Sequence, residues 1–181
     1  HSEMLTNSMV ALTEAGVITG KKKTLHKGKI VGTFAFGTQE LYDMLDDNPG
    51  VSLFRGDYVN DKLFRNICGI EYYQAAIQRM KETAHPDLFC IFSDDTPWCR
   101  EHVAPLLGQS ETIYADWNTG ENSYQDMHLL SCCHHQIIAN SSFSWWGAWL
   151  NENRQKVVIA PRKWWNIQGA HTPICNSWLI I

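Results

Sequence analysis

The stretch that most constrains this chain is Ile137-Ile138-Ala139-Asn140-Ser141-Ser142-Phe143-Ser144-Trp145-Trp146-Gly147-Ala148-Trp149-Leu150-Asn151, in which an apolar strand runs directly into small hydroxyl residues that open an aromatic helix. A helix start placed at a strand end offers orphan backbone N–H groups and a positive dipole end, and serines add donors without bulk. That is the geometry of a phosphate cradle. An ordinary core strand followed by an N-capped helix has the same local signature, since Ser and Asn are favoured caps in any fold.

Downstream of residue 70 the pattern alternates. Tyr72, Ala76 and Met80, with Tyr73 and Ile77 beside them, have helical spacing, and Leu88 to Phe92 reads as a strand. Thr96 as N-cap with Pro97 at the first helical position starts another helix. A strand at Thr112 to Ala115, a helix opened by Ser123 with Asp126 in its first turn, a strand at Gln136 to Ala139, the helix through Trp149 and a strand at Lys156 to Ala160 follow. Strands separated by helical patterns imply an α/β fold with a parallel sheet and crossover helices. The stretches Ser93-Asp94-Asp95 and Asn140-Ser141-Ser142 both follow strands, at the edge where open α/β sheets hold ligands. The packed unit is expected to run from about residue 62 to 181, which carries enough elements to cover both sheet faces.

The first sixty residues have a different composition. All eight tryptophans and all six cysteines lie after residue 67, whereas seven of the twelve glycines lie before residue 60. The chain therefore reads as two pieces, 1–50 and 51–181, with no Gly/Ser/Pro-rich linker between them. The first piece predicts a helix over about Glu3 to Ala15 stopped by Gly16, a strand over Lys29 to Phe36, and a short helix capped by Thr38.

Several classes of function are excluded by composition. At a net charge of −4, with Lys21-Lys22-Lys23 as the one dense basic run, the chain is not expected to bind nucleic acid. No apolar stretch approaches the ~20 residues of a membrane span, and no signal peptide opens the chain, so a cytoplasmic or membrane-peripheral protein is expected. The cysteines lack the paired spacing of a disulfide framework, and Cys132-Cys133-His134-His135 has no second ligand pair at finger spacing, so no metal site is expected.

The serine-rich turn resembles the third sequence motif of glycosyltransferase family 11, the α-1,2-fucosyltransferases. The likeness extends through Asp126-Met127-His128-Leu129-Leu130-Ser131-Cys132-Cys133-His134 and Val158-Ile159-Ala160-Pro161-Arg162-Lys163-Trp164-Trp165-Asn166, and a second motif resembles Phe92-Ser93-Asp94-Asp95-Thr96-Pro97-Trp98-Cys99. It covers roughly residue 51 to the C-terminus. The resemblance implies a Rossmann-like lobe that binds the donor in a GT-B glycosyltransferase. It further implies GDP-fucose as donor, a galactoside-containing glycan as acceptor, inversion at the anomeric carbon, and no cofactor or metal. It assigns the donor to Arg55, Asp57, Asp94, Asp95, Asn140, Ser141, Ser142, Phe143 and Ser144, and no general base to any residue. The family's first motif, His-x-Arg-Arg-Gly-Asp-Tyr, is reduced here to Leu53-Phe54-Arg55-Gly56-Asp57-Tyr58, so the histidine and one of two diphosphate-clamping arginines are missing.

The first piece, from His1-Ser2-Glu3-Met4 through Ala15-Gly16-Val17-Ile18-Thr19-Gly20 to Gly37-Thr38-Gln39-Glu40-Leu41-Tyr42-Asp43 and about Pro49, resembles an internal segment of acetyl-CoA hydrolase/4-hydroxybutyrate CoA-transferase enzymes. It stops short of their carboxylate nucleophile. A donor-binding fragment of a fucosyltransferase that lacks its acceptor lobe and is inactive alone, a CoA-transferase fragment, and a non-catalytic nucleotide-sugar-binding module are the three functions these observations leave open.

Overall fold

A computed structural model describes residues 41, 42, 44, 45, 50–56, 61–118 and 120–181. The helix expected at Glu3 to Ala15, the strand at Lys29 to Phe36, the Thr38 cap and Asp57 lie outside the described residues.

Among the described residues, six parallel strands form one sheet: β1 (Val51–Arg55), β2 (Leu88–Ser93), β3 (Glu111–Ala115), β4 (His135–Ile137), β5 (Val158–Ala160) and β6 (Leu179–Ile180), in the spatial order β3-β2-β1-β4-β5-β6. This is the Rossmann-like strand order. Between them run α1 (Ile70–Ala84), the composite α2 (helical Thr96–Trp98, π-helical Cys99–Val103 and helical Ala104–Leu107), α3 (Ser123–Cys132) and α4 (Ser142–Leu150).

The expected strand–helix alternation holds, with three corrections. The central strand is β1, at 51–55, so the packed unit begins upstream of residue 62. Val51–Arg55 has five buried residues in a row and no period-2 alternation, because a central parallel strand is covered on both faces. The terminal strand β6 also went unforeseen, and Asp95, not Thr96, is the N-cap of α2: its Oδ1 accepts from the Trp98 N–H at 3.2 Å.

Alternate residues of each strand divide the core. Val51 and Leu53 of β1 with Phe89 and Ile91 of β2 face Tyr73, Ile77 and Met80 of α1 and Cys99, Val103 and Leu107 of α2. Phe54, with Leu88, Cys90 and Phe92, faces Met127, Leu129 and Leu130 of α3 and Phe143 of α4. The helical residues Leu41, Tyr42 and Leu45 are buried in this second layer. Burying a side chain of that size contributes ~1.5–3 kcal/mol. The Tyr42 hydroxyl bonds His128 Nδ1 of α3 at 2.5 Å, tying residues upstream of β1 to the far side of the sheet.

Helix α1 begins at an extended Gly69 and presents the stripe Tyr72, Tyr73, Ala76, Ile77 and Met80 to the sheet. It ends at His85, which takes the left-handed conformation (φ 48°) and donates its N–H to the Lys81 carbonyl. Lys81 Nζ crosses to the carbonyls of Leu106 and Leu107 at 3.0 and 2.7 Å, a cation at the carboxyl end of α2. Among the described residues, no helix is long and apolar enough to cross a membrane.

The α3–α4 packing relies on Gly147, where a Cβ would lie 2.8 Å from the Leu130 Cβ. Gly147→Ala is therefore expected to destabilise the fold by about 1–3 kcal/mol through overpacking, although alanine is intrinsically the better helix former by ~1 kcal/mol. Urea unfolding followed by circular dichroism measures the difference, and an unchanged or raised midpoint would contradict it.

Candidate functional site

The sheet order reverses between β1 and β4. From β1 the chain builds outward through α1, β2, α2 and β3 on one side, and from β4 through α4 and β5 to β6 on the other. The two sets of crossover helices cover opposite faces, so the carboxyl ends of β1 and β4 form the switch point, the position where such sheets hold ligands. Arg55 closes β1, and the turn 138–141 leads from β4 into α4.

Arg55 is nearly buried and held on two sides. Its Nη1 lies 3.1 Å from Asp95 Oδ2, and its Cζ stands 3.8 Å from the centroid of the Trp98 ring. Asp95 is thus engaged twice, by Arg55 and by its own helix start, and its N–H bonds Ser93 Oγ at 3.0 Å. Asp94 is exposed beside it.

The five candidates from 140 to 144 divide by what their side chains touch. Asn140 is buried: its Nδ2 donates to the carbonyls of Phe64 and Trp164 at 3.0 and 3.2 Å, and its Oδ1 accepts from Cys68 Sγ at 3.4 Å. It fastens the turn to two neighbouring loops, and burial pushes the Cys68 thiol up to about 12. Phe143 packs its ring 5.5 Å from that of Phe54. The Ser144 hydroxyl donates back to the carbonyls of Ser141 and Ala139 at 3.1 and 3.4 Å. Ser141 is an extended N-cap (φ −129°, ψ 128°) that makes no capping bond through its side chain, while its carbonyl accepts the Trp145 N–H at 3.0 Å. Ser142, partly exposed, stands first in α4. The structure brings Arg55, Asp94, Asp95 and the start of α4 to one sheet edge. What α4 offers there is chiefly the backbone N–H groups of its first turn and the side chain of Ser142.

An acidic corner flanks this anion-suited edge. Asp126, in the first turn of α3, accepts from Asn118 Nδ2 at 2.6 Å. Its pKa is raised to about 7, chiefly by burial and further by the charges of Asp94 and Asp116, against the lowering effect of the Asn118 bond. A carboxyl held near neutrality at this edge of the sheet marks a candidate functional position. The sequence places Asp126 in the first turn of a helix and gives no separate role to Trp98. Both stand inside stretches quoted for their family likeness, but neither the burial of one nor the stacking of the other has a local sequence signal. No group of three or more His, Cys, Asp or Glu side chains suited to a metal gathers among the described residues.

Asp126 gives a pH dependence whose sign is fixed. With a folded pKa of about 7 against an ordinary value of 3.8, the folded protein holds a proton that the unfolded chain has lost between those limits. Its favourable contribution is therefore complete below pH ~4 and is lost as pH rises through 7. Asp126→Asn is expected to stabilise the protein by about 1–3 kcal/mol near pH 8 and not near pH 4. Thermal melts of both proteins across that range test it, and parallel curves would show that Asp126 does not carry the shift.

Comparison with known proteins agrees with this geometry. The family model described as glycosyl transferase family 11 matches residues 36–174. The chain is 35% identical over 130 residues to the O-antigen biosynthesis glycosyltransferase WbnK of Escherichia coli, covering 69% of this chain and 41% of that protein. It is 33% identical over 169 residues to an alpha-1,2-colitosyltransferase of Escherichia coli, covering 86% and 57%. A separate similarity, 54% over 63 residues, joins it to the 4-hydroxybutyrate coenzyme A transferase of Clostridium kluyveri, covering 35% of this chain and 15% of that enzyme. The chain thus spans about half the length of the glycosyltransferases it matches. No solved structure matches it. With the family model matching most of its length and relatives at 33–35% identity, the chain belongs to glycosyltransferase family 11.

Proposed function

We propose that this chain is the donor-binding lobe of a galactoside α-1,2-fucosyltransferase of the GT-B architecture, taking GDP-fucose without a metal. The observation that carries this is that β1 and β4 lie side by side at the switch point, so that Arg55 closes one strand and the turn into α4 follows the other. A guanidinium, the first-turn N–H groups of α4 and the Ser142 side chain are the donors a diphosphate takes. The diphosphate sits there, and the acidic corner of Asp94 and Asp126 accepts hydrogen bonds from the guanine base or the ribose. Asp95 acts through Arg55, and Asn140, Phe143 and Ser144 hold the cradle's shape. The α-1,2 linkage in the name of the colitosyltransferase relative supports the linkage, and the motif likeness supports fucose and GDP.

In the transfer step an acceptor hydroxyl attacks the anomeric carbon from the face opposite the nucleotide. The C1–O bond to GDP breaks, the hydroxyl proton passes to a base, and the configuration inverts. The chain's part is to stabilise the charge that develops on the departing diphosphate. The acceptor and the general base belong to the length of the relatives that this chain does not span. The family match begins at residue 36, and Leu41, Tyr42 and Leu45 pack on the sheet, so we place the border with the CoA-transferase-like segment within residues 36–50.

Titration of the intrinsic tryptophan fluorescence tests the donor assignment. GDP is expected to quench it saturably and acetyl-CoA to leave it unchanged, and the reverse result would favour a CoA-binding protein. Ser142→Asp is expected to weaken GDP binding at least 10-fold by placing a like charge against the phosphates, with the circular dichroism spectrum unaltered. Undiminished affinity in that variant would move the diphosphate elsewhere. With radiolabelled GDP-fucose and lactose, this chain alone is expected to form no α-1,2-linked product above hydrolytic background, because positioning of the acceptor contributes up to ~7–11 kcal/mol. Product above background would show that the chain holds its own acceptor site.

A further inference from the structure

Arg55 is the one arginine that remains of the pair in the likeness to the family's first motif, so the orientation of a single guanidinium decides how well a diphosphate is held. An arginine side chain has rotamer entropy to lose when it is fixed. Here it is fixed in advance, by residues outside that motif. Arg55 Cζ stands over the Trp98 ring, 3.8 Å from its centroid, and Asp95 Oδ2 lies 3.1 Å from Arg55 Nη1. Both come from one helix start, locked by the bond from the Trp98 N–H to Asp95 Oδ1.

The ring is itself clamped. His102 stacks on it at 4.7 Å with the planes 10° apart, and His102 Nδ1 lies 3.1 Å from the Trp98 carbonyl. Tyr73 meets it edge-on at 6.1 Å, and the Tyr73 hydroxyl donates at 3.1 Å to the carbonyl of Phe54, the residue before Arg55. The backbone that carries the arginine and the ring that supports it are therefore joined through one tyrosine of α1. Burial and a stacked face also strengthen a cation–π contact over its exposed value.

We propose that Trp98 is a positioning residue of the donor site, a platform that sets the plane of the Arg55 guanidinium for the diphosphate of a nucleotide. This rests on the donor assignment above. The remaining N–H donors of Arg55 meet the phosphate oxygens in a preset plane, which favours a bidentate grip over a loose charge contact. Trp98 touches neither phosphate nor sugar.

The test compares Trp98→Leu, Trp98→Phe and Arg55→Lys with the wild-type chain, titrated with GDP and with guanosine. Trp98→Leu is expected to weaken GDP binding about 10- to 30-fold and to change guanosine binding less than about 2-fold. Trp98→Phe, which keeps an aromatic face, is expected to restore most of the loss, and Arg55→Lys to resemble Trp98→Leu. Independently of any ligand, the Arg55 Nε–H signal in a ¹⁵N spectrum is expected to be sharp and ring-shifted in the wild type and to broaden toward solvent values in Trp98→Leu. A Trp98→Leu protein that binds GDP as the wild type does, or that leaves the Arg55 signal unmoved, overturns the proposal. So does an equal loss of GDP and guanosine that phenylalanine fails to recover, which marks Trp98 as core packing. A wild-type chain that binds neither compound overturns the donor assignment and this inference with it, whereas the other failures leave the donor assignment standing.

Discussion

Strand β1 is the constraint on which the remaining structure depends. Its five residues pair along their whole length with β2 and over Val51 to Leu53 with β4, so both backbone edges and both side-chain faces of the strand are enclosed. A strand satisfied on every side fixes the two neighbours between which the sheet reverses direction, and with them the switch point. Arg55 stands where that enclosure stops. It is drawn into the molecule by its strand and compensated at once by Asp95, as a nearly buried cation must be.

The site has a polarity that follows from the same topology. The start of α4 lies beyond β4, while the acidic residues collect around the ends of β2 and β3 and the start of α3. The sheet edge thus runs from a side suited to anions to a side suited to hydrogen-bond donors, with Arg55 and Asp95 paired between them. A nucleoside diphosphate has the same division along its length, phosphate at one end and amino and hydroxyl donors at the other. Asn140 serves this edge indirectly: its amide binds Phe64 and Trp164, so the turn that presents α4 is braced by loops from distant parts of the chain.

The layer opposite α1 is completed from upstream of β1. Leu41, Tyr42 and Leu45 cover apolar surface beside Phe54, Phe92 and Met127, and Tyr42 is joined to His128. Burial raises the Tyr42 pKa well above its ordinary value, so the hydroxyl stays protonated and available to that bond. Residues that resemble a CoA-transferase segment therefore supply part of the core of this glycosyltransferase-family domain. Side chains of suitable size and polarity can cover a sheet face whatever their origin, since burial of apolar area is non-directional.

The sequence by itself determined the α/β class, the alternation of elements, the strand-to-helix turn at Asn140 to Ser144 and the family. All of these rest on local periodicity, helix-start chemistry or a contiguous string. It did not reveal that Val51–Arg55 is the central strand, because five consecutive buried residues carry no alternation to read. Nor did it separate Ser142, half-exposed at the start of α4, from Ser144, whose hydroxyl returns to its own turn. The stacking of Arg55 on Trp98 joins residues 43 positions apart, and the near-neutral carboxyl of Asp126 depends on Asn118, Asp94 and Asp116 converging on it. Only the tertiary structure decided these, because distance, desolvation and the direction of a side chain are properties of the assembled sheet and have no counterpart in the order of residues along the chain.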